Sequence, residues 1–276
     1  MTAPLRVLTL NVLAPTHVDD PARQDLLRDE LRRLDPDVAA LQEVGPGQAA
    51  DLLGAHRHSV RHRSTAPDDP VGAELVSRWP FGAVHHVDLH LGPATESLPW
   101  TGAVVAEVLA PPPFGPVLVV HHKPVWPLDR EVVRERQAVL VARAVEDLVA
   151  DRPVHVVLLG DLDATPDAAS VRFLTGRQSL DGTSVAYHDA WEIAHPDEPG
   201  PTFTPANPLV RDGSMPLVRP RRIDYAMVRG GAHGPTLRVH RCEPVLAGPV
   251  DGVQASDHHG VLAELEVPER PPGELR

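Results

Sequence analysis

The stretch Val154 to Pro166, VHVVLLGDLDATP, constrains the fold more than any other. Val154, Val156, Val157, Leu158 and Leu159 make a short, β-rich apolar run, which reads as a strand buried on both faces. Gly160 ends the run, and Ala164-Thr165-Pro166 turns the chain away. Asp161 and Asp163 therefore stand at the C-terminal mouth of a core strand. A spacing of two lets both side chains leave one face wherever the extended geometry persists. Paired carboxylates at a strand end suit a hard divalent cation, or a base that activates water. The competing reading is an Asp-rich turn, since Asp favours turns through local hydrogen bonds.

A strand buried on both faces needs layers above and below it, and the rest of the chain supplies them. Arg6 to Val12 reads as a first strand. Asp19-Asp20-Pro21 then signals a helix start, with an acidic cap and a proline in the first turn. Leu27, Leu31 and Leu34 keep one face of that helix apolar. Val38 to Gln42 is a second strand ending in Glu43, followed by a short helix after Gly47. The region 56–70 reads as a hairpin or loop. Strands are expected at 72–77, 83–89, 101–109 and 117–121. The longest helix starts at Asp129, with Val141, Ala144, Val145 and Leu148 at helical spacing. A helix from Pro166 to Gly176 follows the opening strand. Residues 177–221 look irregular, with a mobile loop from Pro205 to Pro220. The last strands are 223–228, 237–242 and 260–267. Strands outnumber helices, yet helices separate several of them. That pattern predicts an α/β (α+β) protein of four layers, two packed sheets inside and helices outside. No composition break divides the chain, so residues 1–267 are expected to form one domain and 268–276 a disordered tail.

Composition narrows the function classes. The net charge of -12 over 276 residues disfavours tight, sequence-independent binding to long DNA, where phosphate neutralisation supplies most of the affinity. Lys123 is the only lysine, so phosphate contacts fall mainly to guanidinium forks. Cys242 is the only cysteine, which rules out an intramolecular disulfide. No apolar run has the length of a membrane span. The N-terminus shows no basic region followed by a clean apolar stretch, and the expectation is a cytoplasmic protein that does not enter a membrane.

Several polar residues share one expected property: each falls at or just after the end of an apolar strand. They are Asn11, Glu43, His122, Asp161, Asp163, Asp224 and the Asp257-His258 pair. One such residue is commonly a cap; a whole set points to a rim where loops build a site on a rigid scaffold. Glu43, Asp161, Asp163 and Asp257 offer oxygen to a hard cation, and Asn11 adds a neutral amide. His122 and His258 can donate protons to anionic oxygens. Cysteine is absent from the set, which counts against structural zinc. No HExxH motif supports a zinc hydrolase, and no GxSxG elbow a serine hydrolase.

Taken in order, the segments LTLNVLAP (8–15), LQEV (41–44), VGAELVSRWPF (71–81), VVHHKP (119–124), LLGDLDATP (158–166), RRIDYAMV (221–228) and ASDHHGV (255–261) resemble the endonuclease/exonuclease/phosphatase superfamily, the DNase I-like fold. They span almost the whole chain. The resemblance implies two packed, mostly antiparallel sheets and a phosphoesterase dependent on one or two Mg²⁺ or Mn²⁺ ions. It implies that Glu43 is the principal metal ligand, with Asn11 and Asp257 close to the ion. Asp161 would orient or deprotonate the attacking water. His258, held by Asp224, would contact the scissile phosphate, and His122 would be the second histidine on it. His121 then falls at the small polar position that precedes the family's histidine.

One position departs from the family, which usually has Asn where this chain has Asp163. An amide can donate to a phosphate oxygen and an ionised carboxylate cannot. Asp163 therefore suits a ligand to a second cation, or a neutral acid with a raised pKa. The substrate expected is a phosphate-containing small molecule, and the alternative is DNA or RNA. A catalytically dead binding module on the same scaffold is disfavoured, because the acidic and histidine positions are all kept. The oligomeric state is left open.

Overall fold

The computed structural model describes residues 3–63, 70–92, 95, 100–150, 152–270 and 272–273. Part of the expected tail, residues 271 and 274–276, lies outside them. One sheet is built from β1 (Leu5–Asn11), β2 (Val38–Val44), β3 (His58–Arg61), β4 (Gly72–Ser77), β12 (Arg238–Val245) and β13 (Gly260–Glu266), in the order β12-β13-β1-β2-β4-β3. The other contains β5 (Phe81–Val87), β6 (Gly102–Leu109), β7 (Pro116–Lys123), β8 (His155–Asp161), β10 (Asp224–Gly231) and β11 (Gly234–Pro235), in the order β11-β10-β8-β7-β6-β5, with β9 (Tyr187–Asp189) beside β10. Each sheet has one parallel pair, β1 with β2 and β7 with β8, while the other pairings are antiparallel.

A parallel pair needs a crossover, and helices supply both. α1 (Pro21–Leu34) joins β1 to β2, and α3 (Glu131–Val149) joins β7 to β8. The Asp20 side chain caps α1 by accepting from the Ala22 amide, as the sequence predicts. Val7, Val38, Ala40 and Leu75 meet Val104, Val119, Val157 and Leu159 between the sheets. Leu27 and Leu31 of α1 cover Leu8, Leu10 and Leu41 outside the first sheet, together with Leu52 of α2 (Gln48–Leu53). Ala138, Val141 and Val145 of α3 cover Leu118, Val120 and Leu158 outside the second, beside Phe173 of α4 (Ala169–Leu174). The result is the expected four-layer sandwich. The close β7–β8 pairing explains Gly160: a Cβ there would lie 2.0 Å from the His122 carbonyl oxygen.

The region 177–221 departs from its irregular reading. It holds β9, α5 (Ala190–Ala194) and α6 (Pro208–Arg211). These elements are too short for periodicity to reveal, and tertiary contacts hold them instead. A buried Arg222–Asp189 ion pair fixes the β9–α5 junction. Asn207 caps α6 through the Leu209 amide, and Val210 packs with Phe203 and Ile223. The helix after β8 is also shorter than the expected 166–176, because Thr165 to Ala168 form turns before α4 begins.

Candidate active site

The topology brings the polar positions to one rim. β1 and β2 are parallel, so Asn11 and Glu43 leave from the same end of their sheet. β7 and β8 are parallel too, which sets Lys123 near Asp161. β10 runs against β8 with Asp224 opposite Asp161. β13 runs against β1, and Asp257-His258 precede its first residue. Asp224 and Asp257-His258 are thus at strand beginnings rather than strand ends, and the antiparallel direction carries them to the shared rim. The residues border a cavity of ≈ 390 Å³ whose lining includes Glu43, Lys123, Asp161, Asp163, Asp257 and His258.

Asp161 is the hub. Its Oδ2 accepts from Lys123 Nζ at 2.6 Å and from Asn11 Nδ2 at 3.2 Å, and lies 3.9 Å from His258 Nε2. Burial pushes this carboxyl up, but Lys123 and His258 outweigh it and hold the pKa down to about 2. Asp161 is therefore a fixed anion and a weak base at neutral pH. His258 is buried, which alone would lower its pKa. The opposing charges of Asp224 and Asp161 raise it well above the ordinary histidine value. The ring is an imidazolium, with Nδ1 donating to Asp224 Oδ2 at 2.9 Å. The Thr202 hydroxyl holds the Ile223 and Asp224 amides at 3.1 and 3.2 Å, fixing the start of β10. Phe203 lies against the His258 ring, with centroids 4.9 Å apart.

Across the cavity, Glu43 Oε1 accepts from Asn11 Nδ2 at 2.9 Å, and Oε2 is 3.1 Å from His17 Nδ1. Burial opposes ionisation of Glu43, but the His17 contact, the Lys123 charge and the Asn11 amide lower its pKa. Burial raises the pKa of Asp257 against the pull of His258, and the Glu43 charge raises it further. How Glu43 reaches the rim is a backbone matter. Gln42 points between the sheets, where its amide lies 2.8 Å from His121 Nε2. Strict alternation would aim Glu43 at the helical layer. The register between β2 and β4 shifts at this point and Glu43 takes a φ of 53°, so a bulge swings the carboxylate to the cavity. Asp163 and Leu13 also line the cavity with a φ of 51°. Left-handed backbone of this kind costs about 1–2 kcal/mol per residue, and persists where the surroundings fix it.

Asp163 lines the cavity but is tied to the protein at three points. Its Oδ2 accepts from Lys123 Nζ, its amide donates to Asp161 Oδ1 at 3.1 Å, and its carbonyl accepts from Arg221 at 2.6 Å. Burial and the neighbouring Asp161 charge push its carboxyl up to about 6, against the pull of Lys123.

His122 is the one expected site residue that the structure does not bring to the group. Val117, Val119 and His121 of β7 face the other sheet, and Lys123 continues that face into the site. His122 falls between them with Leu118 and Val120, on the helical side. Burial, reinforced by the Lys123 charge, lowers its pKa to about 3. No bulge turns it back, and its Nδ1 has no hydrogen-bond partner. His121 is on the inter-sheet face but fully buried, its ring edge-on to His62 at 4.3 Å. Trp191 is packed in the core, with Nε1 donating to the Glu198 carbonyl at 3.0 Å.

Sequence reasoning passed over Lys123 and His17 at the site, along with the apolar wall of Trp100, Trp126, Phe203 and Met215. A signal existed for the first: one lysine in an arginine-rich chain, directly after the histidine doublet.

Glu43 and Asp257 both line the cavity, and among the described residues neither forms an ion pair with a lysine or arginine. Two half-buried carboxylates beside an amide, with no lysine or arginine ion pair among the described residues, fit a hard divalent ion. Asp161, Asp224 and His258 also have ligand atoms within 4.8 Å of one another, but the His258–Asp224 hydrogen bond already satisfies that cluster. A deep cavity with a fixed carboxylate, an imidazolium and a divalent-ion niche defines a metal-dependent phosphoric ester hydrolase.

The profile of the Endonuclease/Exonuclease/phosphatase family matches residues 8–258, and the chain belongs to that family. No curated protein matches the chain. Among solved structures, it is similar to D. rerio TDP2 complexed with single-strand DNA product, at 17% identity and a TM-score of 0.72, over 96% of this chain and 100% of that one. It is also similar to the human Nocturnin catalytic domain with bound sulfate (18%, TM-score 0.69, covering 96% and 94%). The endonuclease/exonuclease/phosphatase from Bacteroides vulgatus gives 18% and 0.70, covering 97% and 100%. At such identities the likeness is one of fold. No described helix is long and apolar enough to cross a membrane.

Proposed function

We propose that residues 1–267 act as one domain that hydrolyses a small phosphodiester by in-line attack of water, with Mg²⁺ or Mn²⁺ as the metal. The arrangement around Asp161 Oδ2 carries this reading, since one anionic oxygen gathers Lys123, Asn11 and His258 beside a cavity. A carboxylate with a pKa of about 2 orients a water rather than taking its proton. The His258 imidazolium, positioned by Asp224, donates to a phosphoryl oxygen and stabilises the charge that develops there. Asn11 holds Glu43 and Asp161 in register across the sheets. Glu43 and Asp257, with Asn11, would hold the divalent ion, which when bound supplies Lewis-acid stabilisation of phosphoryl charge. His122 has no part in this reading, because its ring is buried on the face of β7 away from the cavity.

The substrate class follows from the cavity. A volume of ≈ 390 Å³ is at the small end of the range of about 300–1,000 Å³ for small-molecule sites. Trp126, Phe203 and Met215 give it an apolar wall, while Lys123 and Arg221 bring positive charge. Such a site suits one phosphodiester carrying an apolar or aromatic group. The net charge of -12 works against long duplexes. A second reading, the end of a DNA single strand, takes its support from the D. rerio TDP2 product complex. The location inferred is cytoplasmic, in keeping with a single, free and buried cysteine.

The test compares bis-p-nitrophenyl phosphate, p-nitrophenyl phosphate and single-stranded DNA with added Mg²⁺ or Mn²⁺, using Asp161→Asn as the blank. The small diester is expected to turn over fastest. Preferential cleavage of DNA would favour the second reading, and metal-independent turnover would sink both.

A further inference from the structure

Lys123 has a side chain only 4% exposed, held between two carboxylates. Nζ donates to Asp161 Oδ2 at 2.6 Å and also to Asp163 Oδ2. An ammonium is a compact point charge with three donors, unlike the flat guanidinium used elsewhere in this chain. It spans two oxygens of different carboxylates much as a small hard cation does. Two of its donors are satisfied by Asp161 and Asp163, and Lys123 also lines the cavity.

The surroundings hold this bridge in place. Asp163 is locked by its amide on Asp161 Oδ1, by Arg221 on its carbonyl and by its left-handed φ. Its carboxylate is therefore directed at Nζ, where the family's usual Asn would have offered an amide. Asp163 departs from the family's usual amide and sets one negative charge beside the positive charge of Lys123. The opposite side of the floor has no such device, since Glu43 and Asp257 lack a lysine or arginine ion pair among the described residues.

We propose that Lys123 is a built-in cation that fills the Asp161–Asp163 side of the site, so that the chain binds a single exchangeable divalent ion, on the Glu43–Asp257 side. Lys123 is a positioning residue here: it fixes Asp161 and excludes a second ion. The inference rests on the metal reading of the proposed function, and the count of bound ions separates the two.

The experiment measures free Mn²⁺ by electron paramagnetic resonance during titration of the full chain at pH 8. The wild type is expected to bind one ion, and Glu43→Gln to lose it. Lys123→Met leaves Asp161 and Asp163 without a counter-charge and is expected to bind two. The charge-neutral double variant Lys123→Met/Asp163→Asn is expected to return to one, a change that a merely structural role would not produce. Two ions in the wild type would overturn the proposal and leave the metal reading standing; none would overturn both. One ion in Lys123→Met also overturns it. If that variant does not fold, as circular dichroism would show, the wild-type count and the double variant still decide.

Discussion

The floor of the cavity has two acidic sides that are neutralised differently. Asp161 and Asp163 share the ammonium of Lys123. Glu43 and Asp257 have an amide and a partly exposed histidine near them, and no lysine or arginine pair among the described residues. Asp161 and Asp163 are buried and Glu43 and Asp257 half-buried, so each side faces a penalty for taking charge out of water. One meets it with a cation written into the sequence, the other with one taken from solution. The contrast teaches that carboxylates in a site do not count metal ions; the charge left uncompensated does.

The comparison can be broken at either side. The largest expected effect is Glu43→Gln, which removes the side that recruits a cation: kcat/KM on bis-p-nitrophenyl phosphate should fall by about 10²–10⁴-fold. A fall of less than about tenfold would mean that the ion does not depend on Glu43. His258→Ala should cost about 10²-fold or more through lost charge stabilisation. Asp224→Asn tests the same group through pH. His258 owes its raised pKa chiefly to Asp224, so the alkaline limb of the kcat profile should move to lower pH in this variant. An unmoved limb would assign it to another group.

Asp163→Asn should have a smaller effect, on stability. The folded-state pKa of Asp163 is raised to about 6, so its ionisation works against the fold. That penalty is absent below the unfolded value, grows as pH rises from there to about 6, and is fully present above it. The neutral amide avoids it. The variant should therefore gain on the order of 1 kcal/mol at pH 8 in urea unfolding, with the gain vanishing near pH 4. A loss at pH 8 would mean that the bond to Lys123 outweighs the repulsion from Asp161. The smallest effect is expected for His122→Gln, with turnover kept within about threefold, against about 10²-fold if the ring donated to the phosphoryl group.

Much of this was legible in the sequence, and the failures have a common origin. Strand cores, the α1 cap and the strand-end carboxylates follow from periodicity and turn chemistry. The face that a residue presents at a strand end is a finer matter. Glu43 and His122 each follow a residue that points between the sheets. A bulge turns Glu43 into the cavity, and no bulge turns His122. Nothing in LQEV or VVHHKP marks that difference. Lys123 was visible as the only lysine, but its partner Asp163 is forty residues away and meets it only through the β7–β8 pairing. The short elements of 177–221 escaped because an Arg222–Asp189 pair and an Asn207 cap, rather than propensity, hold them.

The burial of Lys123 has a consequence for reagents. Apart from the chain terminus, the molecule carries one amine, and that amine is nearly buried and held protonated by two carboxylates. A protonated amine is not a nucleophile, so acylating reagents that decorate ordinary protein surfaces find no lysine to react with on the folded chain. Modification at position 123 then requires the ammonium to leave its two carboxylates and lose its proton, and its rate under mild acylation becomes a clock for how often that bridge breaks.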